Sequence, residues 1–327
     1  MLKAGTTDLL TAAQSGDRRA AAKLISLAET SVNKGDVDRN ELLDRVYQAA
    51  GRAHVLGVTG PPGAGKSSLV NAVAKELRGR GHRVGVVAID PSSPFSGGAI
   101  LGDRVRMGDL SADDGVFIRS LATQGAMGGL ARTALDTVDV LDAVGYDTVV
   151  IETVGVGQDE VDVAAAAHTV IVASPPGLGD GIQAMKAGML EIADIHVVTK
   201  ADKPDAKTTA ADLKNAAGLK GGGASAAWTT PVILTSANDG TGIADLCDAV
   251  AGHYRHLETA GELEARRKRS ARARLLAAAE DRLRRAIRDL SAAVDDAVDR
   301  VAARELTPRN AAEGLICRAF SGKPEQS

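Results

Sequence analysis

Between His54 and Ala237 short apolar runs alternate with stretches of helical spacing. The runs are His54–Thr59, Arg83–Asp90, Gly115–Ser120, Asp147–Thr153, His168–Ser174, Asp194–Lys200 and Pro231–Ala237. Several are apolar at consecutive positions, as strands are when helices cover both faces, so the pattern predicts a mostly parallel sheet. Between the runs the spacing predicts helices over Ser67–Arg80, Gly128–Ala143 and Ile243–His253.

The flanks read differently. From Thr7 to Ala50 the apolar positions Leu9, Leu10, Ala13, Ala20, Leu24 and Leu27 recur at helical spacing. The stretch Ser31–Asn40 breaks the pattern, and a short helix is expected from Glu41. From Leu257 to Phe320 the chain is helical again. Leu276, Leu283, Ile287, Leu290, Val294, Val298 and Val301 form one long stripe of near-heptad spacing. The stripe could fold back on the domain or pair with a second copy of the chain, and a single stripe of this length suits the second. The expected organisation is a helical extension over 1–50, an α/β domain over 51–256 and a helical, dimerising region over 257–327.

The α/β segment opens with the chain's most informative residues, "GVTGPPGAGKSSLV", Gly57 to Val70. Gly60, Gly65, Lys66 and Ser67 fit G-x-x-x-x-G-K-[ST], after a predicted strand and before a predicted helix. Small residues let successive main-chain N–H groups turn inward around a phosphate, and the helix adds its positive end. Gly60, Pro62, Gly63, Ala64, Gly65, Lys66, Ser67 and Ser68 are therefore the candidate phosphate-binding residues. Lys66 would reach the β- and γ-phosphates, and the Ser67 hydroxyl would hold Mg²⁺.

A Mg²⁺ that bridges phosphates takes few protein ligands, and these belong at strand ends near the loop. Asp90 ends an apolar run, Asp103 follows in "GAILGDRVRM", and Glu152 ends "DTVVIE" before a glycine loop. With Ser67 they form the candidate metal shell. Gly155 and Gly157 give that loop freedom to rearrange, and Gln158 is a candidate for orienting water. Lys66, Glu152 and Lys186 are the candidates for action on the reacting phosphate.

The base reader is expected in "VVTKADKPD". Thr199, Lys200 and Asp202 match [NT]-K-x-D at a strand end. A carboxylate at Asp202 accepts bonds from the N1–H and exocyclic amine of guanine, a donor pair that adenine lacks. Ser236, Ala237 and Asn238 in "TSAND" follow the next strand and would meet guanine O6. The nucleotide expected is GTP or GDP rather than ATP.

Composition narrows the partners. The chain has 327 residues and 44% apolar residues but only 2% aromatic ones, so the core must be Ala, Val, Leu and Ile. The net charge of -3, with no aromatics interleaved among the basic residues after Leu257, argues against nucleic-acid binding. Cys247 and Cys317 are far apart in the sequence and fit no metal spacing, as expected of reduced thiols. "GGGASA", Gly221 to Ala226, reads as a loop. No apolar run approaches the ~20 residues of a membrane helix, and the first residues lack a signal-peptide core. A soluble cytoplasmic protein is expected.

Five stretches together resemble the methylmalonyl-CoA mutase-associated GTPases of the MeaB or ArgK type: "GVTGPPGAGKSSL", "VAIDPSSPFSGGAILGDRVRM", "FIRSLATQGAMGGLA", "DTVVIETVGVGQDEVDVA" and "ADIHVVTKAD". The resemblance implies a P-loop NTPase three-layer sandwich with helical N- and C-terminal extensions, the latter forming a homodimer. It implies a GTPase that serves as chaperone for an adenosylcobalamin-dependent methylmalonyl-CoA mutase, gating cofactor loading. By matched position Lys66 and Ser67 serve phosphate and Mg²⁺, Asp90, Asp103 and Glu152 form the metal and switch shell, and Lys186 belongs to a partner-responsive switch. Thr199 stands where many members carry Asn, and Gly181-Ile182 where Glu-Leu is common. Two other classes fit the sequence less well. A kinase, the older transport-system label, needs an acceptor pocket that no sequence feature supplies. A nickel- or zinc-inserting GTPase usually carries His- or Cys-rich segments, and the six His here are scattered.

Overall fold

The computed structural model describes residues 4–29, 37–90, 108–110, 112–122, 129–153, 166–177, 189–218 and 228–321. Seven strands form one sheet: β1 (His54–Thr59), β2 (Val84–Asp90), β3 (Val116–Ala122), β4 (Thr148–Glu152), β5 (Thr169–Ser174), β6 (Ile195–Val198) and β7 (Val232–Leu234). Their spatial order is β3-β2-β4-β1-β5-β6-β7, and every neighbouring pair is parallel. The sheet is thus wholly rather than mostly parallel. All residues of β4, β5 and β6 are buried, which is why their sequences are continuously apolar instead of alternating.

Two cores lie on the two faces. On one face α1 (Ala4–Gln14), α2 (Arg18–Glu29), α3 (Val37–Ala49) and α5 (Gly129–Ala143) bring Leu10, Leu24, Ile25, Leu42, Val46 and Leu141 against Val87, Val149, Ile151 and Val172. On the other, α4 (Lys66–Gly79) and α8 (Ile243–Thr259) bring Leu69, Val70, Val73, Leu246 and Val250 against Leu56, Val86, Val150 and Ile171. The N-terminal helices share the core of the sheet domain. Short α6 (Met189–Ile192) and α7 (Ala206–Gly218) complete this part.

The helical flanks depart from the sequence pattern in three places. The N-terminal stripe is broken at Ser15–Asp17, where Gly16 takes φ 98° and the Asp17 carboxylate accepts the N–H groups of Arg19 and Ala20, a cap that starts α2. Helix α3 begins at Val37, four residues before the expected Glu41. The C-terminal stripe is likewise not one helix. It runs through α9 (Glu262–Arg288) and α10 (Ser291–Ala302), interrupted at Leu290 with φ -99° and ψ 35°. Asp289 and Ser291 flank the break, and both residue types compete for main-chain bonds and favour helix ends. Helix α11 (Pro308–Ser321) follows.

The chain divides into two compact units, residues 1–270 and 271–327, with the division inside α9. Among the described residues no helix is long and apolar enough to cross a membrane.

Candidate functional site

The carboxyl ends of β1, β4, β5 and β6 meet where strand order switches around β1, the usual crevice of an open parallel sheet. The glycines of "GPPGAGKSS" shape it. Gly60 takes φ 139°, and a Cβ there would lie 2.1 Å from the Ala173 carbonyl oxygen. The loop therefore passes β5 at a distance that only glycine permits. Gly65 takes φ 84° and ψ 26° at the start of α4, and its carbonyl accepts the Leu69 N–H at 2.9 Å.

Lys66 is buried, and its ammonium donates to the carbonyls of Gly60 at 2.8 Å and Pro61 at 3.1 Å. The charged head thus lies inside the curve of the loop. Ala64 is buried, while Pro62, Gly63 and Ser68 are exposed. The Ser67 hydroxyl donates to Glu152 Oε1 at 2.6 Å. Glu152 ends β4, is 5% exposed, and pairs through its strand with Val58 of β1 and Ala88 of β2. The same register puts Asp90, the last residue of β2, at the same edge of the sheet. Beside them the Thr153 hydroxyl donates to Thr59 Oγ1 at 3.1 Å and stitches the ends of β1 and β4 together. A hydroxyl and a buried carboxylate at a helix N-terminus are hard oxygen donors, the kind that Mg²⁺ takes sparingly when phosphate supplies the rest. Asp103, Gln158 and Lys186 lie outside the described residues, as do Gly155, Gly157 and Gly221–Ala226.

The T-K-x-D segment leaves β6 against the loop. The Thr199 hydroxyl donates to the Ala64 carbonyl at 2.6 Å, and its N–H to the Ser174 carbonyl at 2.9 Å. Lys200 sits at φ 51°, a conformation costly for a residue with a Cβ and kept where the surroundings enforce it. Its ammonium donates to the Gly63 carbonyl at 3.0 Å, and its stem passes Gly65. Asp202 is exposed beyond it. After β7, buried Ser236 gives its N–H to the Thr241 carbonyl and accepts the Gly240 N–H, each at 3.0 Å, while Ala237 and Asn238 lie further along the same turn. The Thr241 N–H donates to Asp239 and holds that carboxyl below its usual value.

The structure therefore brings together Gly60–Ser68, Glu152 and Thr199–Lys200. Two contributors escaped sequence reasoning. Thr153 and Thr59 are single hydroxyls at the ends of apolar strands, and that polar ending is the signal that could have found them. A second polar group, around Asp194 and His253, gathers at the opposite end of the sheet. Its signal is a polar residue opening or just preceding an apolar strand, at His54, Thr169 and Asp194.

A glycine loop running from the central strand into a Lys-Ser helix, beside an acidic strand end, makes this a P-loop nucleoside triphosphatase fold. Similarity to known proteins carries the assignment further. The family described as "Methylmalonyl Co-A mutase-associated GTPase MeaB" matches residues 21–292, and the chain belongs to it. It is 48% identical over 264 residues to a Pyrococcus abyssi protein named as a putative GTPase, covering 80% of each chain. It is 36% identical to the mouse mitochondrial methylmalonic aciduria type A homolog, over 79% of this chain and 65% of that one. Among solved structures it resembles an LAO/AO transport system kinase with TM-score 0.73 and 26% identity, covering 96% of this chain and 97% of the other.

Proposed function

We propose that this protein is a Mg²⁺-dependent GTPase that acts as chaperone and gatekeeper of an adenosylcobalamin-dependent methylmalonyl-CoA mutase, coupling GTP binding and hydrolysis to cofactor loading. Membership of a mutase-associated GTPase family supports the partner. The observation that carries the chemistry is the meeting of Ser67 and Glu152 at the mouth of a loop to which the guanine-type T-K-x-D segment is bonded.

In this reading the main-chain amides of Gly60–Ser68 and the N-terminus of α4 receive the phosphates, and Lys66 turns its ammonium to the β- and γ-phosphate oxygens. Ser67, Glu152, Asp90 and Asp103 would hold Mg²⁺. The ion would neutralise charge that develops on the phosphates. Asp202 reads the guanine edge, and the Lys200 stem covers the ring. Because the Ser236 N–H is committed to Thr241, the main chain at Ala237 and Asn238 is left to face O6. Glu152 and Lys186 belong to the groups that respond to the γ-phosphate and the partner.

The second unit supports a homodimer. Leu275, Leu276, Val298, Ile316 and Phe320 are between 39% and 70% exposed, an apolar surface that a second copy would cover.

Purified protein is expected to hydrolyse GTP slowly and to accelerate when a methylmalonyl-CoA mutase is added. A pull-down of acyl-CoA mutases should differ between GDP and a non-hydrolysable GTP analogue. Equal hydrolysis rates with and without the mutase would remove the gating role. The competing kinase reading, for which the LAO/AO transport system kinase is the precedent, predicts transfer of label from GTP or ATP to an acceptor. Recovery of inorganic phosphate alone removes it.

A further inference from the structure

At the far end of the strands that carry the site, a second set of polar side chains meets, buried except for the half-buried His54. His54 opens β1, Thr169 opens β5, Asp194 immediately precedes β6, and His253 lies on α8. His54 Nε2 is 2.8 Å from Thr169 Oγ1, which is 2.9 Å from His253 Nδ1. His253 Nε2 lies 3.3 Å from Asp194 Oδ1. With one proton on each ring the donors run in one order, from His54 through the Thr169 hydroxyl and His253 to the carboxylate. Asp194 also accepts the Val170 N–H at 2.8 Å and both terminal nitrogens of Arg266, at 2.6 and 2.7 Å. Arg266 Nη1 further donates to the His168 carbonyl at 2.9 Å, and Trp228 Nε1 donates to the Asp194 carbonyl at 2.8 Å. Arg266 belongs to α9, within the first compact unit.

A buried ion pair of this kind is weak evidence for stability, because well-packed apolar residues often fold as well or better. What it does supply is geometry. The two-pronged guanidinium–carboxylate contact fixes both distance and orientation. Here it fixes the root of α9 against the starts of β1, β5 and β6. Those three strands end at the phosphate loop after Thr59, at Ala173 and Ser174 against Gly60 and Thr199, and at Thr199 and Lys200 themselves. Each is an extended, fully paired segment at most ~20 Å long at ~3.3 Å per residue, with little slack between its ends.

We propose that Asp194 and Arg266 are positioning residues that lock the root of α9 to β1, β5 and β6, and through those strands set the phosphate loop against the base-reading segment, so that nucleotide occupancy and the α9 root are coupled. This rests on the guanine-nucleotide reading above. Coupling of this kind is reciprocal: if the root of α9 affects nucleotide affinity, nucleotide must affect the root of α9 by the same factor.

The test uses the full chain and amide hydrogen exchange from Arg266 to Ser270, with and without GDP and Mg²⁺. It compares the parent, Arg266→Lys, and the pair variant Asp194→Asn with Arg266→Met. In the parent, GDP is expected to slow exchange at these amides about fivefold or more, the low end of typical coupling between sites. The pair variant removes both charges, so no buried charge is left alone. It is expected to lose the GDP-dependent slowing, to bind GDP about fivefold more weakly, and to lose kcat/KM mainly through KM. Arg266→Lys keeps the charge without the fork and is expected to fall between the two. A parent that binds GDP with no change from Arg266 to Ser270 overturns the proposal. So does a pair variant whose GDP affinity and exchange response match the parent's. Should the pair variant fail to fold, the parent and Arg266→Lys decide alone. A parent that binds no GDP overturns the guanine-nucleotide reading first and this proposal with it.

Discussion

The hydroxyl of Thr199 donates to the carbonyl of Ala64 across 2.6 Å and so joins two motifs 135 residues apart. Lys200 makes the parallel bond to Gly63. Thr199 therefore has a mechanical task here. Thr199→Val keeps the shape but leaves the buried Ala64 carbonyl without this donor, a loss of about 1–3 kcal/mol. The expected result is a lower thermal midpoint and weaker GDP binding, with guanine still preferred over adenine. Thr199→Ser, which keeps the hydroxyl, should behave like the parent. Calorimetric GDP and ADP titrations of the three proteins check this.

Lys66→Ala is expected to abolish nucleotide binding. The ammonium donates to two carbonyls of its own loop, so the sheet and both cores should survive its loss. Circular dichroism unchanged from the parent, with no heat on GTP titration, is the expected pair of readings. Parent-like GTP affinity would contradict the phosphate assignment.

Asp202→Asn exchanges the carboxylate proposed to pair with the guanine N1–H and amine for a group that offers a donor. Xanthine nucleotides present the matching acceptor, so preference should shift from GTP toward XTP. Competition binding measures the ratio. An unchanged ratio would place the base reader outside Thr199–Asp202.

Gly60 and Gly63 should respond unequally to alanine. At Gly60 the new Cβ meets a main-chain oxygen at 2.1 Å, which cannot yield without moving β5, whereas at Gly63, with φ 75°, the space is open. Gly60→Ala is expected to destabilise by more than ~2 kcal/mol or to prevent folding. Gly63→Ala should cost only the left-handed conformation, ~1–2 kcal/mol. Urea unfolding of both variants separates these outcomes.

Acid should weaken the fold from about pH 6.5 downward. Burial, followed by the neighbouring His168 and His253, lowers the His54 pKa from 6.5 to about 3. Burial, followed by Arg267 and Arg266, lowers that of His168 to about 4. The unfolded chain binds these protons below pH 6.5 while the folded chain refuses them. Stability is therefore full above that pH and falls as pH drops, by roughly 1 kcal/mol per unit for each histidine. Asp194 acts later. Burial raises its carboxyl, but His253 and Arg266 outweigh burial and hold it at about 2. Its contribution is present above the unfolded value of 3.8 and is lost as the pH falls toward 2. Urea midpoints at pH 7, 6 and 5 should decline, and His168→Gln should flatten the slope.

What the sequence made legible was whatever short covalent spacing encodes. Each of the seven apolar runs became a strand, because a buried parallel strand needs consecutive apolar residues and little else. Gly60–Ser68 and Thr199–Asp202 stood out because a phosphate or a base would demand fixed residue types within a few positions, and the structure bonds Thr199 and Lys200 to the loop. The single stripe from Leu276 to Val301 misled because periodicity reports which face is apolar, and one main-chain angle at Leu290 suffices to end a helix without altering that face. The Asp194–Arg266 group could not be read as one group for a different reason. Its members come from the starts of three strands and from two helices, and no local pattern records that the sheet brings them together.

Trp228 is the chain's sole tryptophan, and its ring packs 4.9 Å from His253 and 5.6 Å from His256 while its N–H binds the residue before β6. All indole emission therefore originates beside the root of α9, and protonated imidazoles quench it. The protein carries a built-in optical gauge at the end of the sheet remote from the candidate nucleotide site, so an intensity change on adding GDP would be a long-range signal recorded without any label.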